Sequence, residues 1–281
     1  MGELITTYEP DNSLKKGYLN IFKEISCDFK NNRWLTYQLF KRDFFSNYKQ
    51  SFIGILWAFI VPLVSVGAFV ILNKAGILNI GNIPVPYPIY ALIGMAFWQL
   101  FSAGLIASSQ SLITAGDMLV KINFSKKSLV IASLGRSFVA FLFQMVLVVF
   151  LCVYYQVIPS LMIVMMPVAL LPLLLLTLGL GFFFALFNCV VRDIGSILSM
   201  GMTYLMFLTP VLYAKPLSGF LAKLTHINPL YYLIITPREL ALTGEVTELF
   251  GFLISTILSV FIFILCLIIF HLTETRVVER L

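Results

Sequence analysis

Charge is scarce in this sequence. Of its 281 residues, 11% are Asp, Glu, Lys or Arg, whereas a soluble domain runs near a quarter. That leaves too little polar surface to clothe a water-soluble fold. Histidine is nearly missing: His226 and His271 stand far apart, which gives a metal site or histidine-based catalysis little support. The four cysteines, Cys27, Cys152, Cys189 and Cys266, include no pair at the short spacing of a zinc or redox site, and read as free thiols. No run of the form GxxxxGK[ST] occurs, so the glycine loop that wraps nucleotide phosphates is absent. The apolar stretches also carry no Asp/Glu/His series of the kind a proton relay needs. No catalytic residue, metal or cofactor is therefore expected in this chain. It is either a passive pore or the driven part of a machine whose energy comes from another protein.

What is present is hydrophobic length. Hydrophobic residues make up 60% of the chain and aromatics 15%. A helix needs about twenty apolar residues to cross roughly 30 Å of hydrocarbon. Six stretches qualify: Phe52–Leu72, Pro88–Ser109, Leu129–Tyr155, Leu161–Asn188, Ile197–Ala214 and Phe250–His271. The fifth is the shortest and carries Thr203, Thr209 and Pro210. The fold expected is an all-α integral membrane protein with about six transmembrane helices. The alternating ten-residue segments of a membrane barrel do not occur. With the N-terminus inside, fifteen of the 19 Lys and Arg fall on cytoplasmic segments or just within them, and Lys74, Lys215, Lys223 and Arg238 fall outside. The excess of inside charge places both termini in the cytoplasm. The first thirty residues are polar and lack an apolar core, which predicts no cleavable signal peptide. The net charge of +6 flanks apolar spans rather than striping a polar domain, so anionic headgroups are its partner and no nucleic acid is expected.

The chain divides into a cytoplasmic N-terminal segment (1–51), a six-helix membrane domain (52–271) and a cytoplasmic tail (272–281). Within the first, Leu14, Tyr18, Ile21, Ile25 and Phe29 recur three or four apart among Lys15, Lys16, Lys23, Glu24 and Asp28. This predicts an amphipathic interface helix, serving either as an anchor or as a docking surface for a cytoplasmic partner. Tyr37, Phe40, Phe44 and Tyr48 continue in a second phase. The last outer loop, 215–249, holds Pro216, Pro229 and Pro237 beside many apolar residues. It is too interrupted to span and too apolar for a wet loop. Short re-entrant helices fit it best, with a loop packed on the outer surface as the alternative. Arg238, Glu239, Glu245 and Glu248 are expected on a solvated face.

Four motifs then align in order. The first runs Lys41-Arg42-Asp43-Phe44-Phe45, through Asn47-Tyr48-Lys49-Gln50-Ser51, to Gly54-Ile55-Leu56-Trp57-Ala58 and Pro62. The second is Pro86-Tyr87-Pro88 with Gly94 and Phe97-Trp98, and the third is Arg192-Asp193-Ile194 with Thr209-Pro210-Val211. The fourth is Asn228-Pro229-Leu230. From about residue 35 onward the chain resembles the membrane-spanning permease subunits of ABC transporters that export polysaccharides such as O-antigen, capsule and teichoic acid. Where that family often has Phe-Pro-Arg, this chain has Phe124-Ser125-Lys126.

The resemblance implies two copies of this chain in a bacterial inner membrane, driven by two copies of a separate cytoplasmic ABC ATPase that binds ATP and Mg. The substrate implied is a lipid-linked polysaccharide, O-antigen first, with capsule, teichoic acid, or a small lipid or drug as alternatives. Sugars stack on aromatic rings and hydrogen-bond to neutral polar groups. Trp57, Phe97, Trp98, Tyr204, Phe207 and Tyr213 are accordingly candidate channel residues, with Gln99 and Thr203 as polar companions. Interfacial anchoring and helix packing explain such aromatics equally well. Arg42, Asp117, Lys121, Lys126, Lys127, Arg192 and Asp193 are the candidates for ATPase contact or gating. For Arg42 and Arg192, contact with substrate phosphates and a topological role stay open. A membrane-embedded enzyme or an assembly protein are the competing classes.

Overall fold

A computed structural model describes residues 18–48, 54–76, 80–81, 83–116, 125–191, 193–215 and 219–278. These form ten α-helices: α1 (Tyr18–Asn31), α2 (Arg33–Tyr48), α3 (Trp57–Lys74), α4 (Tyr87–Thr114), α5 (Lys126–Tyr154), α6 (Met166–Val190), α7 (Ile194–Leu208), α8 (Phe220–Ile227), α9 (Pro229–Leu242) and α10 (Leu249–Val278). Short 3₁₀ turns lead into α3 and α6. Among the described residues five stretches are long and apolar enough to cross a membrane: Trp57–Lys74, Tyr87–Thr114, Lys126–Tyr154, Leu161–Val190 and Leu249–Glu274.

The fifth stretch read from the sequence folds as α7, which is apolar but has 15 residues. At 1.5 Å per residue that is about 22 Å, short of the hydrocarbon thickness. Pro210 is the reason. A residue ahead of proline is pushed out of the helical region, and Thr209 is extended, with φ −102° and ψ 126°. The chain then runs irregularly to Ala214, whose N–H donates to the Ile80 carbonyl at 2.8 Å.

The outer loop contains two helices, α8 and α9, in keeping with the short helices expected there. Pro229 occupies the first turn of α9, where its missing N–H costs nothing, and Pro237 is accommodated inside the helix. The carboxylates and Arg238 were expected on a wet face. Arg238 is instead 1% exposed. The face of α9 that carries it is turned into the bundle, because Leu230, Leu233, Ile234 and Ala241 on the same helix join the main core.

Helix α4 is the axis of the molecule. Its spanning window is 78% buried, against 11% for α3 and 22% for α10, so every other span uses α4 or its neighbours as a wall. A large core of α4, α5, α6 and α9 residues fills the middle. A second core, with Leu112, Leu129, Phe182 and Phe270, fills one end and takes Ile25 of α1 and Leu39 of α2. The amphipathic N-terminal segment thus packs its apolar residues against the bundle, while Trp34 and Tyr37 remain exposed.

Two glycines permit the closest approaches. A Cβ on Gly135 of α5 would lie 2.8 Å from the Phe40 ring, so α2 seats directly against the backbone of α5. A Cβ on Gly94 of α4 would collide with the Val211 carbonyl oxygen and lie 2.9 Å from Arg238 Nη1. Gly94→Ala should therefore destabilise the purified protein by about 1–3 kcal/mol through overpacking. Gly67→Ala, whose added methyl meets open space, should leave it unchanged or slightly stabilised. Equal melting temperatures for both variants would show that the close approach at Gly94 is not a constraint.

Candidate functional site

Parts of three of the sequence motifs meet at the end of the bundle away from α1 and α2. The Arg238 guanidinium lies over the Tyr90 ring, 3.8 Å from its centroid. Its Nη1 donates to the Val211 carbonyl at 2.8 Å, and its Nη2 stands 3.5 Å from the Pro210 carbonyl. Both acceptors belong to the irregular segment that Pro210 creates. Asn228 caps α9 by accepting from the Leu230 N–H at 3.0 Å and donates to Thr209 Oγ1 at 2.8 Å. Thr209-Pro210-Val211, Asn228-Pro229-Leu230, Tyr90 and Gly94 are thereby parts of one contact. Burial pulls the Arg238 pKa down, and Tyr90, Tyr231 and Glu239 act against it; a guanidinium stays protonated all the same.

The nearby carboxylates are also engaged. Glu239 accepts from the Thr247 N–H at 3.0 Å and its hydroxyl at 2.7 Å. Glu248 pairs with Lys215 and accepts from the Tyr231 hydroxyl at 3.3 Å. With Tyr90, Tyr231 and Arg238 these side chains line a cavity of about 350 Å³.

Charge concentrates again at the opposite end. Lys127 is 1% exposed, and its ammonium lies 3.0 Å from Asp28 Oδ2 and 2.5 Å from Glu274 Oε1. Lys126 donates to the Glu274 carbonyl at 2.9 Å. His271 places Nε2 3.6 Å from Glu24 and Nδ1 3.5 Å from Glu274. Helix α1, the start of α5 and the end of α10 are tied together by this group. Asp28, His271 and Glu274 bring potential ligand atoms within 4.8 Å of one another. Lys127 places its ammonium between the two carboxylates, so the described side chains form an ion-pair knot.

The candidate channel residues divide into two sets. Phe97 and Trp98 are buried inside the bundle, with Phe97 5.3 Å from the Phe141 centroid and Trp98 5.9 Å from Phe101. Gln99 accepts from Gln144 Nε2 at 2.6 Å, a polar link between α4 and α5. Trp57, Tyr204 and Phe207 are exposed. On α7 the spacing of Ile197, Met200, Tyr204 and Phe207 places them on one face, and all four are exposed. Thr203 donates to the Ser199 carbonyl of its own helix at 3.1 Å, and the Tyr213 hydroxyl donates to the Phe207 carbonyl at 2.8 Å.

Among the gating candidates, Lys126 and Lys127 open α5 and join the knot. Arg42 pairs with its neighbour Asp43 at 2.8 Å, and Asp193 is exposed ahead of α7. Asp117, Lys121 and Arg192 lie outside the described residues. Glu274, Gln144 and Arg238 were missed. The sequence signal for Arg238 was a cation in an apolar, proline-containing stretch, which was assigned to a solvated face of that stretch.

The profile of the ABC-2 type transporter family matches residues 35–242. The chain is 30% identical over 186 residues to the O-antigen export system permease protein RfbA of Myxococcus xanthus, covering 66% of this chain and 70% of that protein. It is 27% identical over 208 residues to a protein of the same name from Klebsiella pneumoniae, covering 72% and 78%. A second Klebsiella pneumoniae protein of that name is 25% identical over 207 residues. The matched span contains the Arg238 contact in full, together with α2 to α9 except the first two residues of α2. The chain belongs to the ABC-2 type transporter family.

Proposed function

We propose that this chain is the membrane-spanning permease subunit of an ABC transporter that exports lipid-linked O-antigen across the bacterial inner membrane. The observation that carries the proposal is the 25–30% identity to O-antigen export permeases over most of both chains. The bundle itself supports a transport role: its spans are apolar, and its polar groups gather at the two ends. Two copies of the chain form the path, with both termini in the cytoplasm. Two copies of a separate ABC ATPase bind ATP and Mg and supply the work, while this chain catalyses no reaction itself. Capsule and teichoic-acid chains present the same sugar chemistry and are the nearest alternative substrates.

The reading divides the work between the two ends of the bundle. The ion-pair knot joins α1, α5 and α10 on the side where the ATPase would push, so it can carry displacement of the N-terminal helices into two spans. The exposed aromatic face of α7 offers ring surface for sugar, whereas Phe97 and Trp98 serve packing.

Purification of the tagged chain in mild detergent should bring down a near-stoichiometric ATPase whose activity disappears on mutation of its hydrolytic site. A chain that comes out alone from its complete native host would overturn the energy-coupled reading. Tyr204→Ala should leave membrane levels unchanged and lower surface O-antigen several-fold. Trp98→Ala should lower the level of the protein itself, since loss of a buried aromatic costs about 3–5 kcal/mol. Wild-type export in Tyr204→Ala would remove α7 from the sugar path. Lys127→Met leaves two carboxylates facing each other, at a cost of about 3 kcal/mol. Amide hydrogen exchange in residues 22–31 should rise accordingly, and unchanged exchange would show that the knot does not hold α1.

A further inference from the structure

Arg136 has no place in the contacts described so far. It sits in α5 about 13 Å along the helix axis from Lys127, two and a half turns into a stretch apolar enough to span the membrane. A charge at that depth is expensive and is normally met by a carboxylate or a water-filled cavity. Among the described residues Arg136 forms no ion pair or hydrogen bond. A topological role does not require it, because Lys126 and Lys127 already mark the end of the span.

The side chain does face a cavity. A polar space of about 240 Å³ is lined by Arg136 and Ser133 of α5, Gln110, Ser111 and Thr114 of α4, and Arg42 of α2. Asp43 is also in the wall, where its Oδ1 pairs with Arg42 through Nε at 2.9 Å and Nη2 at 2.8 Å, so its charge is offset by Arg42. The remaining groups are an uncompensated guanidinium, a primary amide and several hydroxyls, which is donor chemistry for an oxyanion. The seating of Phe40 on Gly135 fixes this geometry by holding α2 against α5. Beside it, and sharing Gln110 and Thr114, lies a second cavity of about 310 Å³ that adds Asn188, Ser196 and Ser199. Its lining is polar and carries no charge, the chemistry that meets neutral sugar hydroxyls.

We propose that the Arg136 cavity binds the phosphate or diphosphate group of a lipid, and that the adjoining uncharged cavity receives the first sugar attached to it. The sugar half rests on the exporter reading; the phosphate half stands on the cavity alone. Arg136 supplies the charge, and Gln110 lies at the boundary between the two spaces. The ligand head would straddle α4 at the bundle end that holds the ion-pair knot.

The test uses the full chain in phosphatidylcholine nanodiscs, titrated with a polyprenyl diphosphate, with phosphatidylglycerol, and with inorganic pyrophosphate. Saturable binding of the polyprenyl diphosphate is expected, weakened at least about tenfold by Arg136→Gln, which is about 1.4 kcal/mol. Arg136→Lys should fall between, because an ammonium keeps the charge and loses the fork. Lys223→Gln, the same charge change on exposed α8, should bind like the native chain. Equal melting temperatures of the native and Arg136→Lys proteins guard against misfolding. If phosphatidylglycerol binds with the same Arg136 dependence, the phosphate site stands but serves bulk lipid, and the sugar half is overturned. If pyrophosphate alone suffices, the ligand is a free phosphate and the lipid assignment is overturned. Polyprenyl diphosphate binding that ignores Arg136 overturns the site and leaves the exporter reading intact. Normal surface polysaccharide after deletion of the chain would overturn the exporter reading and leave the phosphate site to its binding data.

Discussion

The fold at one end of this protein is organised by a buried guanidinium that forms no ion pair among the described residues. Taking such a charge out of water costs several kcal/mol even after relaxation, and the surrounding structure is arranged to offset that cost. The Tyr90 face supplies a cation–π contact, worth about 2 kcal/mol or more when desolvated. Backbone carbonyls of Pro210 and Val211 supply dipoles, and they are free to do so only because Pro210 ends α7 early. A longer α7 would have spent those carbonyls on its own helix. Gly94 then has to be a glycine, since the Val211 carbonyl and the guanidinium both press on its Cα. One buried cation thus accounts for a proline, a glycine, a tyrosine and an asparagine cap scattered over about 150 residues. Its Nε finds no partner, so the contact leaves one donor unsatisfied and is held by the packing around it.

The other end solves the same problem in the opposite way. Lys127 is as deeply buried as Arg238, but two carboxylates from two different helices meet it. A knot of ion pairs is directional and depends on each partner staying in place. Removal of one charge strands another, so α1, α5 and α10 must move together or the knot must open. Between the ends the bundle is nearly all apolar, relieved by the Gln99–Gln144 link. Interhelical hydrogen bonds of this kind are modest inside a membrane. The partnered buried cations thus lie at the two ends, and apart from the Arg136 cavity the middle is held mainly by apolar packing.

Much of this was legible in the sequence, for reasons that differ by element. The long spans were readable because a run of twenty apolar residues has few other uses, and α4, α5 and α6 lie within a few residues of their expected positions. The fifth span was misjudged because apolar composition does not register the extended backbone that Pro210 imposes on Thr209. The outer loop was recognised as unusual, and its two short helices agree with that. Arg238 was misassigned to a solvated face because the sequence alone cannot tell a cation on a loop from one folded back beneath it, whereas Glu245 is exposed as expected. Lys127 was singled out for its charge and position; Asp28 and Glu274 lie 99 and 147 residues away, and no local pattern joins them. Likewise Phe97 and Trp98 satisfied the composition of a sugar path, yet burial places them in the core.

The distribution of burial along the spans carries the last step. The spans differ widely in how far the rest of the chain covers them. Here α4 is enclosed, whereas α3 is 11% buried and bears Trp57 exposed near its start. Exposed apolar flanks are compatible with lipid, so exposure alone decides nothing. The aromatic face of α7 is different, because α7 is too short to reach across the bilayer unaided and ends in a polar, hydrogen-bonded turn. A short helix whose far end meets Thr209, Asn228 and the buried Arg238 is poorly suited to face hydrocarbon over its whole length. Its exposed side, with Ile197, Met200, Tyr204 and Phe207, is therefore the part of the apolar surface on which the proposed sugar contact rests. Unsealed polar backbone at membrane depth is tolerated only against protein or water. What sets this face apart is the shortness of α7, which Pro210 imposes, and not the apolar composition that first marked the chain as a membrane protein.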